Sequence, residues 1–213
     1  ILTAFERNSH YFYDTKWNLE KLLPALVGHP LVFLEESPEV PIEIVRGEPE
    51  IIVTQSGPKL NISLTPVPLK QRVVLLRETP TRFKVVQFSD AHLRMAALLG
   101  EDGLSVPLAG KEEVAAVITS LSSLVTVHSA IGGAAENIEV VAAEPTPHIH
   151  LMPVGGGFRA EMFVKPFASQ GPYLKPGIGA ANLIADIDGK RMQAQRDLKL
   201  EKEKAAVVEA ECP

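Results

Sequence analysis

Apolar residues recur along this chain with two periods, and the switches between them mark out the elements. Leu19, Leu22, Leu23, Leu26 and Val27 follow the spacing of one helix face, which predicts a helix from Trp17 that Gly28 ends. Pro24 falls inside it, so that helix is expected to kink or to start late. "PLVFLEE" then reads as a strand, and "VPIEIVRGEPEIIVTQSGPKLNISLTP" as three short extended runs broken at Gly47, Pro49 and Gly57-Pro58. "QRVVLLRETPTRFKVVQFSD" predicts a hairpin joined around Glu78-Thr79-Pro80. Asp90 is placed as the N-cap of a helix carrying Leu93, Ala96, Ala97 and Leu98 or Leu99, which Gly100 and Gly103 end.

The second half repeats this alternation. "KEEVAAVITSLSSLV" predicts a helix with Val114, Val117, Ile118 and Leu121 on its apolar face. "VTVHSA" reads as a short strand, followed by a turn at Gly132-Gly133 and by strands in "ENIEVVAAEP", "PHIHLMP" and "GFRAEMFVKP". "ANLIADIDGKRMQAQRD" is a hairpin, because Asp188-Gly189 is the dipeptide a tight type I′ turn requires: both positions need positive φ. "LKLEKEKAAVVEAEC" predicts a charged terminal helix, capped by Asp197 or beginning just before it.

The order of elements suggests an internal repeat. "IEIVRGEP" (42–49) and "IEVVAAEP" (138–145) agree at five of eight positions. A helix and a strand precede each copy. Extended runs, a hairpin, an aspartate (Asp90, Asp197) and a helix follow each. The expectation is an α+β protein of two similar modules, each a small antiparallel sheet of short strands and a hairpin packed with helices. An arm would span residues 1–16, the first module 17–103 and the second 111–213.

Composition narrows the possibilities. At 213 residues, 46% hydrophobic and 22% charged, the chain can bury a sizeable core. No apolar run reaches the roughly 18 residues of a membrane span, and the start lacks the pattern of a signal peptide. The single cysteine, Cys212, offers no disulfide framework and no cysteine-based metal site, which fits a cytoplasmic setting. Net charge is −5, unlike that of a domain devoted wholly to gripping phosphate backbones. The chain opens on Ile1, and is therefore expected to be a piece of a longer or processed protein.

The stretch most suggestive of chemistry is "PTPHIHLMPVGGGF" (145–158). His148 and His150 would share one strand face, as metal-binding imidazoles can. A closed site needs three or four ligands, and no other histidine stands at a recognisable spacing. The plainer expectation is two solvent-facing histidines, with Pro147, Ile149 and Leu151 turned to the core. "VGGGF" and "KPGIGAAN" match neither a P-loop nor a dinucleotide-binding turn, and read as flexible turns. Ser120, Ser122 and Ser123 fall inside a helix, with no nucleophile elbow around them. The basic residues Lys70, Arg72, Lys190, Arg191, Arg196 and Lys199 lie on or beside hairpins. There they would either touch phosphate or protect an edge strand from aggregation.

"YLKPGIGAANLIADIDGKRMQAQRDLKLEKEKAAVVEAECP" (173–213) resembles the segment upstream of the ATPase motor in large bacterial SNF2-type (DEAD/DEAH-box) helicases. "LLPALVGHPLVF" and "AEPTPHIHLMPVGGGFRAEMFVKP" resemble the same region. The resemblance implies a non-catalytic accessory domain that works with the ATPase motor of its parent chain, and through it with double-stranded nucleic acid. The ATP-binding lysine and the Walker B acid would then lie beyond Pro213, and this stretch would hold no cofactor of its own. Two other readings stand beside it: a free-standing protein- or peptide-binding module that uses an open sheet edge, and a metal-dependent enzyme built on His148 and His150.

Overall fold

The computed structural model describes residues 18–35, 37–68, 72–134, 138–168 and 172–211. Lys70 and Cys212 fall outside them. The first helix, α1 (Leu19–Ala25), starts at Asn18, whose side chain caps Lys21 N–H, so Pro24 sits in its last turn. Strands β1 (Phe33–Leu34), β2 (Ser37–Pro41), β3 (Glu43–Gly47), β4 (Glu50–Ser56), β5 (Lys59–Thr65), β6 (Val73–Thr79) and β7 (Arg82–Gln87) follow, then helix α2 (Asp90–Leu99). Ser89 caps α2, not Asp90: its hydroxyl accepts from His92 N–H while the His92 ring accepts from Ser89 N–H. Strand β8 (Leu104–Pro107) is only four residues long, too short for its alternation to predict a strand. It forms because β5 offers it a free edge.

Helix α3 (Lys111–Leu121) leads to β9 (Thr126–Ser129), β10 (Glu139–Ala142), β11 (His148–Val154), β12 (Gly157–Phe163), β13 (Asn182–Ile187), β14 (Lys190–Gln195) and helix α4 (Leu198–Glu211). Asp197 caps α4 through Leu200 N–H, so its counterpart in the first half is Ser89. Asp188 and Gly189 both have positive φ, as the turn chemistry demands. No helix of the described residues is long and apolar enough to cross a membrane.

The architecture is α+β. The pairing order β3-β7-β6 recurs as β10-β14-β13, and in each the first strand runs parallel to the middle one, which pairs antiparallel with the third. The expectation of purely antiparallel sheets is corrected by this, because a crossover carries the chain back to the same end. The hairpin β4–β5 lies between β3 and β6, as β11–β12 lies between β10 and β13. The expectation of a separate sheet for each module also needs correction. A single seven-stranded sheet, β10-β14-β13-β9-β4-β5-β8, draws strands from both halves, with β4 parallel to β9.

Ile51, Val53, Leu60, Val127 and Ile184 line one face of this sheet. They pack with Val114 and Ile118 of α3 and with Met95 and Leu99 of α2. Val117, placed on the apolar face by its spacing, is instead 53% exposed. A second core joins α1 to Ile44, Val73, Phe83 and Val85 of the three-stranded sheet.

Candidate functional site

The ribbon β11–β12 stands apart from both larger sheets, and its register sorts its side chains onto two faces. His148, His150 and Met152 share one face with Phe163, Glu161 and Arg159; Ile149 and Leu151 share the other with Met162 and Ala160. The faces are used in the opposite sense from the one expected. Ile149 and Leu151 are 47% and 59% exposed, while His150 and Met152 are half-buried. The physical cause is a set of aromatic and basic neighbours drawn to the polar face. The His150 ring meets Phe163 at 5.0 Å and Tyr173 at 4.9 Å, both edge-on. Burial holds the His150 imidazole below its ordinary pKa, and the charges of His148, Lys175 and Arg82 act in the same direction against Glu161.

His148 remains exposed on this face. Among the described residues no three His, Cys, Asp or Glu side chains stand together as a metal site would need. His150 packs half-buried between the two rings.

The other face of the ribbon opens on a cleft of about 800 Å³. Ile149, Leu151, Ala160 and Met162 make one wall, and Ala205, Ala206 and Val208 of α4 make the other, with Pro176, Gly177 and Ile178 at its base. The base is fixed by the PGxG segment. Arg196 donates to the carbonyls of Lys175, Ile178 and Ala180, and Glu201 accepts from Gly177 N–H at 2.9 Å. The sequence motif thus serves to seat a loop on the first turns of α4.

A seam of charge joins the three-stranded sheet to the seven-stranded one. Glu78, with a side chain only 5% exposed, accepts from Arg82 Nε at 2.8 Å, Lys84 Nζ at 2.9 Å and Tyr173 N–H at 3.1 Å. Lys84 reaches on to Glu50 at 3.1 Å, and Arg82 also pairs with Glu43. His128 Nε2 lies 3.1 Å from Glu50 but outside hydrogen-bond alignment, so Lys84 is the firmer partner of that carboxylate. Burial pushes Glu50 up, yet His128 and Lys84 outweigh it and hold the carboxyl at about 2. Burial likewise pulls Lys84 down, and Glu50 with Glu78 more than restores it.

No protein-family model, curated protein or solved structure matches this chain.

The basic residues singled out by sequence do not form one surface. Arg72 precedes β6 and pairs with Asp90 at 3.0 Å. Lys190 and Arg191 sit at the tip of β13–β14, opposite Ile187 and Asp186. Lys199 is exposed on α4, 3.7 Å from Glu203. Arg196 is a correction: its side chain is 1% exposed and is taken up by Glu201, because the cap of α4 turns it inward. It has no surface to offer a phosphate. Lys70 lies outside the described residues.

Neither the seam nor the cleft was identified from sequence. The signal for the seam was present in Arg82 and Lys84, which alternate with buried Phe83 and Val85 on β7. Such alternation normally means a solvated face; here Glu50 of β4 meets Lys84 and Tyr173 lies against Arg82.

Proposed function

We propose that this chain is a non-catalytic interaction domain, and that the cleft between β11–β12 and α4 receives an apolar helix of a protein partner. The resemblance in residues 173–213 supplies the setting: the accessory region of a bacterial SNF2-type helicase, with the ATPase motor of the same parent chain as the partner. The observation that carries this reading is the row of Ile149 and Leu151, exposed opposite Ala205, Ala206 and Val208. Large apolar side chains that line a concave surface together lower their free energy by being covered.

The apolar lining on both walls suits an amphipathic helix. The α4 residues that line the cleft run from Lys202 to Glu209, about two turns or roughly 12 Å at 1.5 Å per residue. Small residues Ala205 and Ala206 on that wall leave room for large side chains from a second helix. A helix-in-groove contact of this kind uses a few apolar anchors at i, i+3, i+4 and i+7.

The test is a photo-crosslinking amino acid at Leu151 in the full-length parent protein. Crosslinks that map to a helix of the motor are expected, with Ala206→Glu abolishing them. Crosslinks only to a separate protein would replace the helicase setting with a free-standing binding module. No crosslink at all would overturn the docking reading.

A further inference from the structure

Among the described residues four charged side chains line the cleft, and two of them cancel each other. Lys175 and Glu161 meet at 2.8 Å. The other two, Lys202 and Glu209, belong to α4 and are exposed. Neither has an ion-pair or hydrogen-bond partner among the described residues, although the same helix pairs Lys199 with Glu203.

Lys202, Ala205, Ala206 and Glu209 stand at i, i+3, i+4 and i+7, so they form one stripe along α4. The stripe is small and apolar in its middle, cationic at one end and anionic at the other. The fold fixes its direction. Lys202 stands at the base of the cleft, where an added Cβ on Gly177 would lie 2.8 Å from Lys202 Cβ. Glu209 stands about two turns further along the helix, away from that base.

Unpaired charges beside apolar surface act against a wholly apolar occupant. Covering the cleft would take water from Lys202 and Glu209, and an occupant without counter-charges would offer nothing in exchange. A carboxylate at the base and a cation two turns away would restore both partners. Exposed ion pairs are individually weak, so the apolar walls supply the affinity and the two charges supply the choice between occupants.

Building on the docking of an apolar helix in this cleft, we propose that Lys202 and Glu209 select that helix by charge. The occupant carries one acidic and one basic side chain seven residues apart, flanking its apolar anchors, with the acid against Lys202 and the base against Glu209. Seven residues is the separation at which side chains return to the same side of a helix, so the occupant's pattern mirrors that of α4. Helices with two like charges at these places are rejected.

The experiment is selection from a phage-displayed library of short helical peptides on the immobilised chain. Positions along one face hold Leu, Ile, Met or Phe, and two flanking positions seven residues apart hold Glu, Gln or Lys. The native chain is expected to enrich peptides with one Glu and one Lys. Lys202→Glu should shift the enrichment to two lysines, and Glu209→Lys to two glutamates. By calorimetry, a peptide selected on the native chain should bind either variant about fivefold more weakly, as one attraction is exchanged for a repulsion of similar size. Both substitutions are at exposed positions, and matching circular dichroism and thermal melts verify that the variants fold. The same enrichment on all three proteins, or no preference among Glu, Gln and Lys, would overturn the charge selection and leave the docking in place. No enriched peptide at all, or peptides that bind Leu151→Asp as tightly as the native chain, would overturn the docking and the selection with it.

Discussion

Arg196 and Glu201 form a fully enclosed ion pair, Nε to Oε1 at 2.9 Å and Nη2 to Oε2 at 2.6 Å, with each side chain 1% exposed. The bidentate geometry and the extra bonds to three carbonyls and one N–H offset the cost of taking both charges out of water. Removing either partner strands the other. Glu201→Ala and Arg196→Ala are each expected to lose about 3–5 kcal/mol in urea unfolding. The double variant Arg196→Met with Glu201→Leu should recover only part of this, because the carbonyls of Lys175, Ile178 and Ala180 lose their donor. A double variant as stable as the native chain would show that the pair does not anchor the loop.

Gly177 makes that anchorage sterically possible. Its φ is +66°, and an added Cβ would stand 2.8 Å from Lys202 Cβ and 2.9 Å from the Leu198 carbonyl. Gly189 also has positive φ but opens on empty space. Gly189→Ala is expected to cost about 1 kcal/mol from backbone conformation alone, and Gly177→Ala about 2–3 kcal/mol. Paired thermal melts measure the difference, which isolates the close approach of loop and helix.

The charge seam predicts an acid limit to stability. Glu50 is held at about 2 against an ordinary 4.5. A carboxyl lowered on folding stabilises the native state fully above its unfolded pKa, and that contribution is lost as pH falls. Stability should therefore decline between pH 5 and 2, with Glu50 contributing no more than about 3 kcal/mol of the loss. Glu50→Gln should flatten this part of a plot of urea midpoint against pH while lowering stability at pH 7. An unchanged acid limb in the variant would assign the loss to other carboxyls.

Leu151 separates binding from folding. At 59% exposure it contributes little to the core. Leu151→Asp is expected to change stability by less than about 0.5 kcal/mol. If the proposed cleft docking holds, binding of the partner helix that crosslinks at Leu151 should fall at least tenfold by calorimetry. A large loss of stability would mean that the cleft face is already packed in the free chain.

Local signals settled much of the fold. The periodicity of Leu19 to Val27, the turn at Asp188-Gly189 and the alternation on β13–β14 depend on neighbours in sequence, and these elements stand where their patterns place them. The order of elements around "IEIVRGEP" and "IEVVAAEP" is similar in sequence. In space, β3 pairs parallel with β7 and β10 with β14.

Long-range pairing decided the rest. Whether an alternating strand turns one face or the other inward depends on what covers it. Tyr173 and Arg77 drew the polar face of β11 inward and left Ile149 and Leu151 outside. Likewise Arg196 reads as one more surface cation until a carboxylate five residues away folds back over it. Alternation fixes which residues share a face, because that follows from backbone geometry. Which face is buried is a free-energy difference between partners far away in the chain, and only the assembled structure supplies those partners.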